Sequence, residues 1–400
     1  MSGLPDLKEI ATPKGSPGLV GRLLSGPALP ALAARFAAAR TAGSGRPWRF
    51  GSTVVVIAHE QVSEALSRDL EFTIAPVNAG RIEDVDQSFI LGMDRGPVLA
   101  AERKALYRAL SGIDFDPIRT DAEAHADECI DAVADKLDVV GGYARLVAAG
   151  TARKLFGVTA PDDRFFVEVA RSVFGHTFLN LSNDGTIRDR AVRAAALLDS
   201  WIDAELDRRR THQPGTDMMG RLLADGALDA AGIRRTLAGM LVGAIDTTAS
   251  AVAKIVYVIG SDASLRRQME ADCDDQARIR GWCLDALRRW PHNPILIRHA
   301  ARDTSLGGAD IAAGDRIFLW TQAAMQDASA FPDPRMIRPD RPADAYLHFG
   351  GTLHHCAGRS VNVWQIPLLV SKLLGRGISR VGRIGWAGPF PDSLPVGFAR

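Results

Sequence analysis

The sequence predicts a mainly α-helical protein with small β-sheets. Three observations carry that prediction. From about residue 98 to 290, apolar side chains recur at three- and four-residue spacing in one segment after another. Strand-like stretches are short and clustered towards the two ends, too few for alternating β-α-β units. With 400 residues and 46% hydrophobic side chains, the chain can bury a sizeable core, far from a disordered composition.

Residues 1–27 are rich in Pro and Gly and are expected to be irregular, with one domain over 28–400 that starts in an Ala-rich helix at about 28–41. Gly51-Ser52 between 46–50 and 53–57 reads as a small β-hairpin. Residues 59–69 look helical. The stretch 70–97 lacks clean periodicity and contains Pro76, Gly80, Gly92 and Gly96, which predicts a long loop of the kind that usually carries function. Helices follow at 98–111, 118–139, 142–157, 163–178, 186–211, 216–226 and 229–259, separated by turn signals such as Gly112-Ile113-Asp114 and Pro161-Asp162-Asp163. Two more cover 262–275 and 277–290, where Pro291 stops the helix and Asn293-Pro294 forces extended chain. Short β segments at 295–301 and 304–319, a Pro/Asp-rich loop at 327–347, a helix from Cys356 to about 374 and a Gly/Pro-rich tail complete the chain.

Charge and cysteine usage exclude several classes. Lys+Arg 48 against Asp+Glu 47 gives a net charge of +1, which implies no bulk nucleic-acid binding. The four cysteines, Cys129, Cys273, Cys283 and Cys356, show no CxxC spacing, against a zinc ribbon or a disulfide framework and in keeping with a reducing cytoplasm. The charged, Pro-containing N-terminus lacks a signal-peptide core, and no run of ~18 uncharged apolar residues suggests a membrane span.

Cys356 is the residue that carries most chemistry. It lies in Phe349-Gly350-Gly351-Thr352-Leu353-His354-His355-Cys356-Ala357-Gly358-Arg359, framed by glycines ahead of a helix. Helix N-termini present unpartnered N–H groups and favour negative charge, so a thiolate is stabilised there as a nucleophile or metal ligand. Two further features stand out. Gly243-Ala244-Ile245-Asp246-Thr247-Thr248 puts an acid and hydroxyls in the middle of a long apolar helix, where such side chains compete for backbone hydrogen bonds. Asp285-Ala286-Leu287-Arg288 puts an acid and a guanidinium on one helical face. Alone, each has a bland meaning: a small buried thiol, a polar kink, a surface ion pair.

Together, in this order and spacing, the three segments resemble the cytochrome P450 family of haem-thiolate monooxygenases, over about residues 28–400. The resemblance implies the P450 fold, an α-rich domain with minor antiparallel sheets, and haem b as cofactor. The Cys loop matches the family pattern at Phe349, Gly350, His354, Cys356 and Gly358, with Cys356 the iron ligand. Thr352 stands where a second glycine is usual, which demands an ordinary φ or strain that Gly351 could share. Asp246 and Thr247 resemble the family's acid–alcohol pair: Thr247 would hydrogen-bond dioxygen as it is activated, and Asp246 would help relay protons. Asp285, Arg288 and Arg341 resemble the family's structural ion-pair network. Asp285 is one methylene shorter than the usual glutamate, which implies a looser network or a shifted helix.

By the same resemblance, Arg298, His354, Arg108 and Lys104 would neutralise the haem propionates. Phe89, Phe174, Phe178, Ala244, Ile245, Ile295 and Leu296 would line a pocket for a hydrophobic or amphipathic small molecule. The chain contains no flavin or iron–sulfur signature, so a ferredoxin with its ferredoxin reductase would supply electrons, O2 being the co-substrate. A peroxide-driven peroxygenase, a haem-thiolate isomerase and a haem-based sensor or carrier are the alternatives. The departures at Thr352, Asp285 and Lys104 also suit a divergent enzyme.

Overall fold

The structure, a computed structural model, describes residues 45–86, 88–180, 182–212, 215–387 and 390–399. The expected irregular segment 1–27 and the helix at 28–41 lie outside them. The chain divides into two compact units. Among described residues, one comprises Asn78–Ala249 and Gly385–Val396, and the other 45–77, 250–384 and 397–399.

The first unit is a stack of helices. They are α2 (Ala75–Asp86, which begins in the other unit), α3 (Pro97–Ser111), α4 (Asp116–Asp131), α5 (Arg145–Phe156), α6 (Asp163–Phe174), α7 (Gly185–Arg210), α8 (Met218–Asp225) and the N-terminal part of α9 (Ala230–Ser261). Aspartates start several of them. Asp162 accepts from Phe165 N–H, Asp184 from Thr186 and Ile187, and Asp217 from Gly220, each meeting a backbone donor with no intrahelical acceptor. Gly157 ends α5 in the left-handed region at φ 70°, and a Cβ there would come within 2.5 Å of Asp217.

Two π-helical turns, Val140–Ala144 and Gly175–Leu179, stand at the start of the predicted helix 142–157 and at the end of the predicted helix 163–178. The first follows a short strand, β4 (Lys136–Asp138), whose three residues the helical pattern of 118–139 hides. The unit also holds the hairpin β10 (Gly385–Ala387) and β11 (Phe390–Ser393). The predicted long loop at 70–97 is corrected: it contains α2. Pro76 falls in the first turn of α2, where its missing N–H removes no intrahelical bond.

The second unit holds a five-stranded sheet. Its order is β1 (Trp48–Phe50), β2 (Thr53–Val56), β8 (Arg316–Leu319), β5 (Leu296–Ala300) and β3 (Phe72–Thr73). The β1–β2 hairpin pairs Phe50 with Thr53 across Gly51, at φ 59°. Val54, Val56, Ile317 and Leu319 point from this sheet into a core with Val62, Leu66, Phe331 and Leu347. Helices α1 (His59–Ser67), α10 (Ala263–Ala271), α11 (Gln276–Arg289) and α13 (Arg359–Gly375) complete the frame of the unit. Helix α9 is long and apolar enough to cross a membrane by length and composition, and most of its apolar window is buried inside the protein, as in a core helix.

Candidate active site

The Cys loop lies in the second unit, between the Pro/Asp-rich loop and α13. Cys356 N–H donates to Phe349 O at 2.8 Å, closing the loop on itself. Gly350 takes φ 68°. The expectation that Gly351 shares the strain at Thr352 is corrected: Gly351 has an extended φ of −141°, and Thr352 itself sits at φ 39°. Left-handed backbone is unfavourable for a β-branched residue by about 1–2 kcal/mol. Thr352 Oγ1 offsets this by donating to Leu66 O at 2.7 Å, anchoring the loop to the end of α1. Gly351 is needed for another reason, since a Cβ there would lie 3.0 Å from Leu66 Cβ.

The Cys356 residue has exposed surface, yet enough protein crowds its sulfur for desolvation to raise the thiol's pKa. The backbone N–H groups of Gly358 and Arg359 donate to the sulfur and oppose that rise. A Cβ at Gly358 would stand 3.5 Å from Sγ, so the glycine keeps this side of the sulfur slim. These features fit a haem-bound iron. Among the described residues no three His, Cys, Asp or Glu side chains gather to hold a metal by themselves. Phe349 packs at 6.3 Å from the His355 ring, with Arg359 5.9 Å from its centroid. His354 ends the 3₁₀ turn Thr352–His354 within the same loop.

Around Asp285 the expected looser network is not found; the network is closed. Asp285, Arg288 and Arg341 are buried. Arg288 forks onto both carboxylate oxygens, Nε to Oδ1 at 2.6 Å and Nη2 to Oδ2 at 3.2 Å. Arg341 Nε lies 3.1 Å from Oδ1 as an ion pair. Tyr346 OH donates to Oδ1 at 3.1 Å and Arg338 N–H to Oδ2 at 2.8 Å; the sequence pointed to neither. The two guanidiniums otherwise donate to the carbonyls of Met325, Pro332, Asp333, Pro334 and Met336 and flank the Phe331 ring. Gly281, one turn before Asp285, lets this loop rest on α11: a Cβ there would be 2.0 Å from Pro339 O.

The acid–alcohol segment lies in the first unit, and α9 turns its members different ways. Met240, Gly243, Ala244 and Thr247 form a half-exposed stripe at helical spacing, whereas Ile245, Asp246 and Thr248 are buried. Thr247 Oγ1 donates to Gly243 O at 2.5 Å, which leaves its lone pairs open to accept. Asp246 is not free to face the stripe. Its Oδ1 accepts from Arg145 Nε at 2.7 Å, and its Oδ2 from Arg171 Nε at 3.3 Å. Both arginines also reach Asp392 Oδ1, Arg145 Nη1 at 3.1 Å and Arg171 Nη2 at 2.8 Å. Burial alone would raise the Asp392 pKa, but the charges of Arg171 and Arg145 hold it below the ordinary value. Burial likewise works against the Arg171 charge, and Asp246, Glu168 and Asp392 more than compensate. Nothing along the chain marks Arg145, Arg171 or Asp392 for this role. Each is an ordinary charged residue, joined to its partners across 75 to 247 positions.

The remaining expected site residues scatter. Arg108 and Lys104 lie on the exposed face of α3, and Arg108 Nη2 donates to Asp225 at 2.8 Å. The buried face of α3 carries Leu99, Glu102, Ala105, Leu106, Ala109 and Leu110, which puts 104 and 108 on the other side. Arg298 is buried on β5, with Nη1 donating to Ile297 O. Phe174 meets Phe178 at 4.9 Å and the edge of Phe390 at 5.2 Å. Phe89 fills a slot on α9, where a Cβ at Gly239 would come 2.5 Å from its ring. Ile245 is fully buried. Ile295 and Leu296 pack against the two apolar clusters of the second unit.

A helical fold with a glycine-framed cysteine whose sulfur accepts two backbone N–H bonds fits a haem-thiolate class of protein, and comparison with known proteins agrees. A family model described as Cytochrome P450 matches residues 283–376. Mycinamicin IV hydroxylase/epoxidase of Micromonospora griseorubida is 26% identical over 72% of this chain and 72% of its own. Nocardicin C N-oxygenase of Nocardia uniformis subsp. tsuyamanensis is 27% identical over 80% of this chain and 81% of its own. The crystal structure of CalO2 shares the fold, with a TM-score of 0.82 at 18% identity, covering 94% of this chain and 98% of that one. The chain is similar to the cytochrome P450 monooxygenases, by the family match over residues 283–376 and by relatives that cover most of its length.

Proposed function

We propose that this enzyme, acting as one catalytic domain over 28–400, inserts one atom of O2 into a hydrophobic or amphipathic small molecule of terpenoid, steroid, fatty-acid or polyketide type. Electrons come from a separate ferredoxin with its reductase, in the cytoplasm. The observation that carries the reading is the Cys356 sulfur, held in a closed loop with two backbone N–H donors aimed at it. Haem b, when bound, supplies the iron at which dioxygen is activated. Cys356 gives that iron a thiolate whose basicity the Gly358 and Arg359 N–H groups moderate. Arg298 and His354 are assigned to the propionates.

Small residues at Gly243 and Ala244 leave room beside Thr247, whose hydroxyl oxygen can accept a hydrogen bond while its own O–H donates to Gly243 O. Asp246 handles the protons that the reaction consumes, under the control of Arg145 and Arg171. Phe89, Phe174, Phe178 and Ala244 contact the substrate. The relatives named for mycinamicin IV and nocardicin C, a hydroxylase/epoxidase and an N-oxygenase, support oxygenation of a small molecule.

The test is spectroscopic, then kinetic. The reduced carbon-monoxide complex should show the red-shifted Soret band of thiolate ligation, and Cys356→Ser should abolish it. A band without the shift in the parent enzyme would refute the ligand assignment. Thr247→Ala should divert NADH and O2 consumption from product to peroxide. Full turnover on hydrogen peroxide alone with a silent Thr247→Ala would instead favour the peroxygenase.

A further inference from the structure

Asp392 belongs to none of the family motifs in this sequence, yet it closes a ring. Going round, Asp246, Arg145, Asp392 and Arg171 alternate in sign, one each from α9, α5, β11 and α6. Each arginine puts Nε on Asp246 and an Nη on Asp392. A planar guanidinium pinned at two points has a fixed orientation, so the second carboxylate determines how the first is held. Arg145 is tied to the same hairpin through the carbonyls of Pro391 at 3.1 Å and Asp392 at 3.4 Å. Glu168 on α6 is the other charged group at the ring, 3.2 Å from Arg171. Two residues before Asp392, Phe390 packs edge-on against Phe174, which lies three residues after Arg171 on the same helix.

We infer that Asp392 is a positioning residue: it aligns Arg145 and Arg171 on Asp246, so the β10–β11 hairpin and the acid of α9 are set together. A ligand that moves the Phe390 ring therefore also moves the counter-charges of Asp246. Substrate seating and proton handling become linked through the hairpin. The functional half of this inference rests on the proton-handling role proposed for Asp246, and the mechanical half does not.

The experiment uses the haem-loaded enzyme with Asp392→Asn, Asp392→Glu, Asp246→Asn and the Asp246/Asp392 double variant. Urea unfolding gives a cycle that does not depend on turnover. The double variant leaves both buried guanidiniums without a ring carboxylate and should unfold with a constant about tenfold larger than the product of the two single changes. Product formed per NADH should fall severalfold in Asp392→Asn, and Asp392→Glu should recover at least half of the loss. If Asp392→Asn fails to fold, Arg171→Lys, which keeps the charge and loses the fork, should show the same fall in product per NADH.

Additivity within about twofold in the unfolding cycle overturns the inference. So does unchanged coupling in Asp392→Asn or Arg171→Lys while Asp246→Asn is uncoupled. If Asp246→Asn leaves coupling intact but the cycle is non-additive, the proton role is refuted and the mechanical tie stands.

Discussion

Asp285 and Asp246 are both buried aspartates facing two arginines, and the protein completes the two clusters in opposite ways. Around Asp285 one acid serves Arg288 and Arg341, and the surplus positive charge is spread over five backbone carbonyls. Around Asp246 the balance comes from side chains, with Asp392 and Glu168 supplying the negative charge. Backbone acceptors cannot leave without unfolding the loop that carries them, whereas side-chain acceptors can rotate away. The first cluster is built as scaffold. The second is held mainly by side chains, with the Pro391 and Asp392 carbonyls taking part of Arg145.

The largest effect should come from breaking the scaffold. Asp285→Asn removes the carboxylate facing two buried guanidiniums and should destabilise by about 3–5 kcal/mol in urea unfolding, with poor haem retention. The matching change, Asp246→Asn, leaves Arg145 and Arg171 still paired with Asp392, so a smaller loss of about 2 kcal/mol is expected. Near-equal losses would erase the distinction between the clusters.

A third test concerns the loop that holds the sulfur. Thr352→Val keeps the strained backbone and loses the bond to Leu66 O, so it should cost about 1 kcal/mol. Thr352→Gly loses the same bond but relieves the strain, and should stay within about 1 kcal/mol of the parent. The gentlest test is pH. Asp392 has a folded pKa below its unfolded value, so its stabilisation is fully present above about pH 4 and drains away as pH falls through the folded value. Asp392→Asn should flatten the acid limb of the stability curve by that share, measured by thermal unfolding between pH 3 and 6.

The two clusters also differ in how far the sequence reveals them. Asp285 and Arg288 are three apart on one helix, and Arg341 falls in a recognisable Pro-rich loop, so the set can be read along the chain. The Asp246 ring is assembled from residues with no local signature, brought together only by the packing of α5, α6, α9 and β11. The fold shows the same split. Long periodic helices such as α7 and α9 are legible because many turns repeat one signal. Helix α2 is not, because Pro76 and Gly80 read as breakers although a proline in a first turn is harmless. Strand β4 is three residues long and takes its stability from outside itself, with Leu394 N–H donating to Asp138 at 2.7 Å. The phase of α9 sets Thr247 and Asp246 on different sides, which adjacency in sequence obscures.

Gly281 accounts for the short acid at 285. With no side chain at 281, the carbonyl of Pro339 settles directly on α11, and the loop bearing Arg338 and Arg341 rides closer to the helix axis. An aspartate then spans a gap that would otherwise need a glutamate's extra carbon. The two positions behave as one spacer of fixed total length. Gly281→Ala alone should jam the loop, Asp285→Glu alone should overfill it, and the pair made together should be better tolerated than either.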